Sequence, residues 1–128
     1  MRSPIRILLV EDNEVFREAL ELLLGRRGDL EVVASIGDGN RAAEATLEHD
    51  PDVVLMDYRL PGLDGVEATR AVRGVRPDVA VVVLTASANL REVDALYEAG
   101  AAICLSKDQQ LDEIVDAIRR AVEGPSWS

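Results

Sequence analysis

Aromatic side chains make up only 3% of the 128 residues, so the interior has to be filled by something else. Hydrophobic residues reach 48%, which leaves the task to Val, Leu, Ile and Ala, the composition of sheets flanked by helices. A single cysteine, Cys104, excludes an internal disulfide and suits a reducing, cytoplasmic setting. Basic residues are outnumbered 14 to 24 by acids, and the net charge of -10 argues against a nucleic-acid surface, which needs clustered Lys and Arg to displace counterions. Long apolar runs are missing too. The first, Ile5 to Val10, is too short to span a bilayer and leads straight into acids, with no signal-type cleavage region. The turn after it, Val10-Glu11-Asp12-Asn13-Glu14, has no glycine to let a backbone cradle pyrophosphate, which argues against dinucleotide or flavin binding.

What is present is regular. Five short apolar runs, Arg6 to Val10, Leu30 to Ser35, Val53 to Met56, Ala80 to Leu84 and Ala102 to Leu105, read as buried strands. Helical periodicity follows each of them, at about Glu14 to Arg26, Asn40 to His49, Gly65 to Arg76, Asn89 to Ala99 and Leu111 to Val122. Strict alternation of strand and helix predicts an α/β fold, a five-stranded parallel sheet with five flanking helices. The expected organisation is one domain over residues 1–124, with 125–128 a tail or the start of a linker.

In open α/β sheets ligands bind at the carboxyl ends of the strands, and those ends are polar here. Glu11-Asp12 close the first strand, Asp57 the third and Thr85 the fourth, and Ser106-Lys107 follow the fifth. Each residue alone has an ordinary reading as a helix cap, a turn, a strand residue or a solvated charge. Together they would bring three carboxylates, a hydroxyl and an ammonium to one edge. Crowded carboxylates need a compensating cation, and all-oxygen ligands indicate magnesium, or manganese in its place. Magnesium leaves coordination positions for phosphate oxygens, and a carboxylate beside it can act as a nucleophile towards phosphorus. Lys107 and the Thr85 hydroxyl would then meet the phosphoryl oxygens.

These residues resemble the receiver domain of two-component response regulators. The resemblance runs from Ile5 to about Gly124 and rests on Leu9-Val10-Glu11-Asp12, Leu55-Met56-Asp57-Tyr58-Arg59-Leu60-Pro61-Gly62 with Asp64-Gly65, Leu84-Thr85-Ala86, and Lys107. It implies a flavodoxin-like sheet in the order 2-1-3-4-5. It implies that Asp57 is the phosphoacceptor and that Asp12 and the backbone carbonyl of Arg59 contact the metal directly, with Glu11 as the partner acid. Thr85 would be the switch hydroxyl and Lys107 the ion-pair partner of phosphate. The implied donor is a sensor histidine kinase. Gly100-Ala101 with Lys107-Asp108 is similar to the NarL/FixJ subfamily, whose members carry a carboxyl-terminal helix-turn-helix, so transcription and DNA contact would come through an output absent from this chain. Phosphorylation would favour a homodimer, through the Asn89 to Ala99 helix or through the first and last helices.

Two rival readings fit the residues less well. An aspartate-based phosphohydrolase would carry a second acid two residues after its nucleophile, where Arg59 stands, and would need more chain for a substrate cap. A degenerate receiver working unphosphorylated is opposed by the complete acid, Thr85 and Lys107 set, although Cys104 stands where the family often has an aromatic switch residue. Cys104 itself reads as a small core residue, His49 as a helix-terminal charge rather than a relay histidine, and Trp127 as part of a frayed end.

Overall fold

The computed structural model describes residues 3–60, 63–86 and 89–123. Strands β1 (Ile5–Val10), β2 (Leu30–Ile36), β3 (Val53–Asp57), β4 (Ala80–Thr85) and β5 (Ile103–Ser106) alternate with helices α1 (Glu14–Gly25), α2 (Ala42–His49), α3 (Gly65–Val75), α4 (Leu90–Ala99) and α5 (Leu111–Glu123). All neighbouring strands are parallel and the sheet order is β2-β1-β3-β4-β5, as the resemblance implied. Strand order reverses at β1, so the crevice at the carboxyl ends of β1 and β3 is where such a sheet holds a ligand.

The period of two in the strands sorts the core into two layers. Leu8, Val10, Val54, Met56, Val81 and Val83 face α2, α3 and α4 and pack on Ala42, Ala68, Val72 and Leu96. Ile7, Leu9, Val53, Leu55, Val82 and Leu84 face the other way, onto Leu20 and Leu24 of α1 and Ile114, Val115 and Ile118 of α5. Covered on both sides, β3 is buried throughout. β2 and β5 are half-buried over most of their length, against the expectation of five buried strands, because each has only one neighbouring strand.

Other differences lie at element ends. The segment expected to open the second helix at Asn40 forms a separate 3-10 turn, Gly39–Arg41, started by the Asp38 side chain accepting from the Asn40 N–H. A Cβ on Gly39 would come within 2.7 Å of the Leu63 carbonyl oxygen, so the turn lies tight against the loop after β3. That loop is pinned again where the Gly65 N–H donates to Tyr58 O at 2.7 Å and the Asp64 side chain caps α3. Pro61-Gly62 of the family motif, Trp127 and the 125–128 tail lie outside the described residues.

Candidate functional site

β1 and β3 are adjacent, with Val10 paired to Met56, so the residues that follow, Glu11 and Asp57, emerge side by side. Asp57 pairs with Leu84 of β4, which places Thr85 one step beyond. The Lys107 N–H donates to Thr85 O at 2.7 Å, tying the residue after β5 to the same edge. One carboxylate oxygen from each of Glu11, Asp12 and Asp57 lies within 4.8 Å of the others. Glu11 and Asp57 are only 1% and 6% exposed, Thr85 is buried as well, and Asp12 is open to solvent.

Lys107 reaches back across this cluster. Its Nζ lies 2.7 Å from Glu11 Oε1 and 3.1 Å from Asp57 Oδ2. The contact to Asp57 is a hydrogen bond, whereas Glu11 Oε1 is buried and its ammonium contact is not directed as one. Glu11 Oε2 accepts from the Asn13 N–H at 3.0 Å. Burial pushes the Glu11 carboxyl above its usual range and the Asp57 charge adds to this, while Lys107 and the Asn13 N–H oppose it without cancelling it. Burial alone would lower the Lys107 ammonium, but its contacts with the Glu11 and Asp57 carboxylates outweigh that and hold it above its ordinary value.

The sign of the Glu11 shift makes a prediction. The folded state keeps the Glu11 proton to higher pH than the unfolded chain, so between the two values it binds more protons, and stability falls as pH rises. The contribution is complete below the ordinary value of 4.5 and is lost as pH passes through the raised folded one. In EDTA, the urea-unfolding free energy should therefore decline from about 4.5 up to the raised value and level off beyond it, and Glu11→Gln should flatten the decline. Identical pH profiles for the two proteins would contradict it.

A hard cation fits this donor set. The three side chains offer only oxygen and converge on one small space, and ionising Glu11 is costly without added positive charge. Asp12 and Arg59 also line an open cleft of about 560 Å³ with Tyr58, Leu60, Asp64 and Glu92, which gives the cluster an entrance.

Every residue expected at the site from the sequence lies at this edge of the sheet, Arg59 on the rim of the cleft. Two neighbours were not anticipated. The Phe16 ring centroid is 4.6 Å from Lys107 Nζ, and Arg17 Nη1 donates to Glu11 O at 2.8 Å. Their only signal in the sequence is a place in the first turn of the helix that follows the acidic pair. Asn13, not Asp12, caps that helix by accepting from the Phe16 N–H.

Away from the site, His49 ends α2 and precedes β3, at the opposite end of the strands from Asp57. Burial pushes the half-buried Cys104 thiol up, with the Tyr97 hydroxyl pulling the other way, so it stays protonated at neutral pH. That agrees with an inert packing residue. The Cys104 N–H donates to the Tyr97 hydroxyl of α4 at 3.1 Å. No helix among the described residues is long and apolar enough to cross a membrane.

A parallel sheet with acids, a hydroxyl and a lysine gathered at its carboxyl edge defines an open α/β protein with its candidate site at the switch point, and comparison with known proteins narrows the class. Residues 7–119 match the response regulator receiver domain. The chain belongs to that family. It is 38% identical to the transcriptional regulatory protein LiaR of Bacillus subtilis (strain 168), over 94% of this chain and 57% of LiaR. It is 34% identical to the transcriptional regulatory protein DegU of Brevibacillus brevis, over 98% of this chain and 53% of DegU. The chain thus spans a little over half the length of the curated relatives it matches. Among solved structures it is similar to the signal receiver domain of the putative response regulator NarL from Mycobacterium tuberculosis, with a TM-score of 0.91 and 34% identity, covering 97% of this chain and 100% of that one. A LuxR-family response regulator from Aurantimonas sp. SI85-9A1 matches with a TM-score of 0.90 and 34% identity, over 95% of this chain and 87% of that one.

Proposed function

We propose that Asp57 is the phosphoacceptor of this receiver domain and that Glu11, Asp12 and Asp57 hold magnesium, or manganese in its place, while it reacts. The observation that carries the reading is the Lys107 ammonium 3.1 Å from Asp57 Oδ2 inside a cluster of three acids that share one small space. Arg59 lines the same cleft as Asp12, and its backbone carbonyl would complete the protein's share of the metal shell. When bound, the dication supplies positive charge that offsets the crowded carboxylates and the incoming phosphoryl oxygens.

This chain's own residues do the rest. A carboxylate oxygen of Asp57 attacks phosphorus, and the new O–P bond forms as the donor's bond breaks. That is the P–N bond of a phosphohistidine on a sensor histidine kinase, or the P–O bond of acetyl phosphate. The electron pair leaves with the imidazole or the acetate. Lys107 meets the charge of one phosphoryl oxygen, and the Thr85 hydroxyl at the end of β4 donates to another. The domain would thus catalyse its own phosphorylation, and water attacking the same acyl phosphate would reset it.

The bound phosphoryl group would favour one arrangement of the segment after Thr85 and of α4, a population shift rather than a chemical turnover. Leu90, 81% exposed, and Tyr97 on α4, or Val15 and Leu22 on α1 with Val122 on α5, offer apolar surface for a homodimer in that state. In a cytoplasmic setting the output would be transcription, through a carboxyl-terminal helix-turn-helix beyond a linker that starts at residues 125–128. The names and greater length of the relatives support this part.

Incubation with magnesium and acetyl phosphate should add the mass of one phosphoryl group and raise the mass in solution towards that of a dimer. EDTA should prevent both. Equal labelling in EDTA would contradict the metal dependence, and an unchanged monomer after full labelling would contradict the dimer.

A further inference from the structure

Phe16 and Lys107 are the chain's only phenylalanine and only lysine, and they meet at the site. Lys107 carries its charge on a flexible four-carbon stem and is one-quarter exposed, so its two acid contacts are what hold the ammonium unless a third group meets it. The Phe16 ring is that third group, with its centroid 4.6 Å from Nζ. An aromatic face attracts an ammonium without accepting a directed hydrogen bond from it or neutralising it. The N–H groups of Lys107 therefore stay available for the acids and for a further oxygen, which a carboxylate in place of Phe16 would claim.

The position of the ring is itself fixed through the site. The Asn13 N–H donates to Glu11 Oε2, Asn13 Oδ1 accepts from the Phe16 N–H, the Phe16 ring meets Lys107, and Lys107 returns to Glu11 Oε1. Glu11, Asn13, Phe16 and Lys107 thus form a closed circuit, and Arg17, the next residue of α1, holds the Glu11 carbonyl. Phe16 also packs against the core layer under α1 and α5, so any test has to separate packing from the contact with the charge.

We propose that Phe16 is a positioning residue for Lys107, whose ring face holds the ammonium between Glu11 and Asp57 where it can meet the phosphoryl group. Only the last clause rests on the phosphoacceptor reading of Asp57.

The composition makes the test clean, because selective labelling of lysine and phenylalanine isolates one side chain of each. In the full chain, the Lys107 Hε protons should show a ring-current upfield shift and an NOE to the Phe16 ring, and both should vanish in Phe16→Leu. With magnesium and acetyl phosphate, Phe16→Leu should phosphorylate about 3- to 10-fold more slowly, and Phe16→Tyr should keep most of the rate. In a Lys107→Gln background, Phe16→Leu should cost nothing further, because the contact it breaks is already gone. Urea unfolding of each variant checks that it is folded. An unshifted Lys107, a wild-type rate in Phe16→Leu, or the same fold-loss in both backgrounds would overturn the proposal. If the wild type took up no phosphoryl group, the phosphoacceptor reading would fail, and the labelled Lys107 spectrum would still decide whether Phe16 positions the ammonium.

Discussion

Asp57→Asn should take up no phosphoryl group from acetyl phosphate, a loss of at least about a hundredfold in rate on the scale of nucleophile removal. The amide has the size and shape of the carboxylate, so β3 and its buried neighbours should fold as before. It lacks the charged oxygen that attacks phosphorus and weakens the acidic cluster as a cation site. The nearby acids are poor substitutes. Glu11 is engaged by the Asn13 N–H and Lys107, and Asp12 lies on the solvent side of the cleft without the ammonium at its oxygen. Intact-mass spectrometry reads the labelling, and calorimetric titration with magnesium should show weaker binding than in the wild type. Equal mass gain in both proteins would show that the phosphoryl group goes elsewhere.

Lys107→Ala should separate metal binding from chemistry. Lys107 reaches both Glu11 and Asp57, and its removal leaves two buried carboxylates facing each other with less compensation. Magnesium affinity should therefore hold or increase, because an incoming cation no longer competes with the ammonium. Phosphorylation should slow by roughly a hundredfold, the typical effect of deleting one group aimed at developing charge. Whatever phosphoryl group is taken up should couple poorly to dimerisation, since the link from Asp57 to the end of β5 is gone. Lys107→Arg is not a neutral control, because the planar guanidinium cannot reproduce a point charge reaching both acids. Loss of magnesium binding in Lys107→Ala would contradict this account.

Much of this site could be read from the sequence because chemistry and topology pointed to the same places. The apolar runs ending in Glu11, Asp57 and Thr85, and the one before Lys107, are strands, and parallel strands joined by helices all end at one edge. Glu11, Asp57, Thr85 and Lys107 are accordingly expected at one edge of the sheet, and they lie together there. The apolar pattern did not give the strand order 2-1-3-4-5, which came from the resemblance, because periodicity alone does not say which strands are neighbours. The half-burial of β2 and β5 was missed for the same reason, since a strand's exposure depends on whether another strand lies beside it. The 3-10 turn at Gly39–Arg41 was missed because Asp38 capping and the approach of the Leu63 carbonyl are local geometry that a helical pattern does not record.

Phe16 shows the limit most clearly. In the sequence it is one more apolar residue on the first turn of α1, and the charge it faces lies at the far end of the chain, after β5. The Tyr97 hydroxyl at the Cys104 N–H is a similar case, joining α4 to the outer edge of the sheet at the residue where the family often has an aromatic. Contacts across elements such as these depend on the completed fold.

The most direct test is to locate the phosphoryl group. Wild-type protein is treated with magnesium and acetyl phosphate, then reduced with borohydride, which converts an aspartyl phosphate to homoserine, and the peptides are sequenced by mass spectrometry. The account predicts homoserine at position 57 and unmodified Glu11 and Asp12. Phosphorylation with position 57 still aspartate, or reduction at another acid, would contradict it.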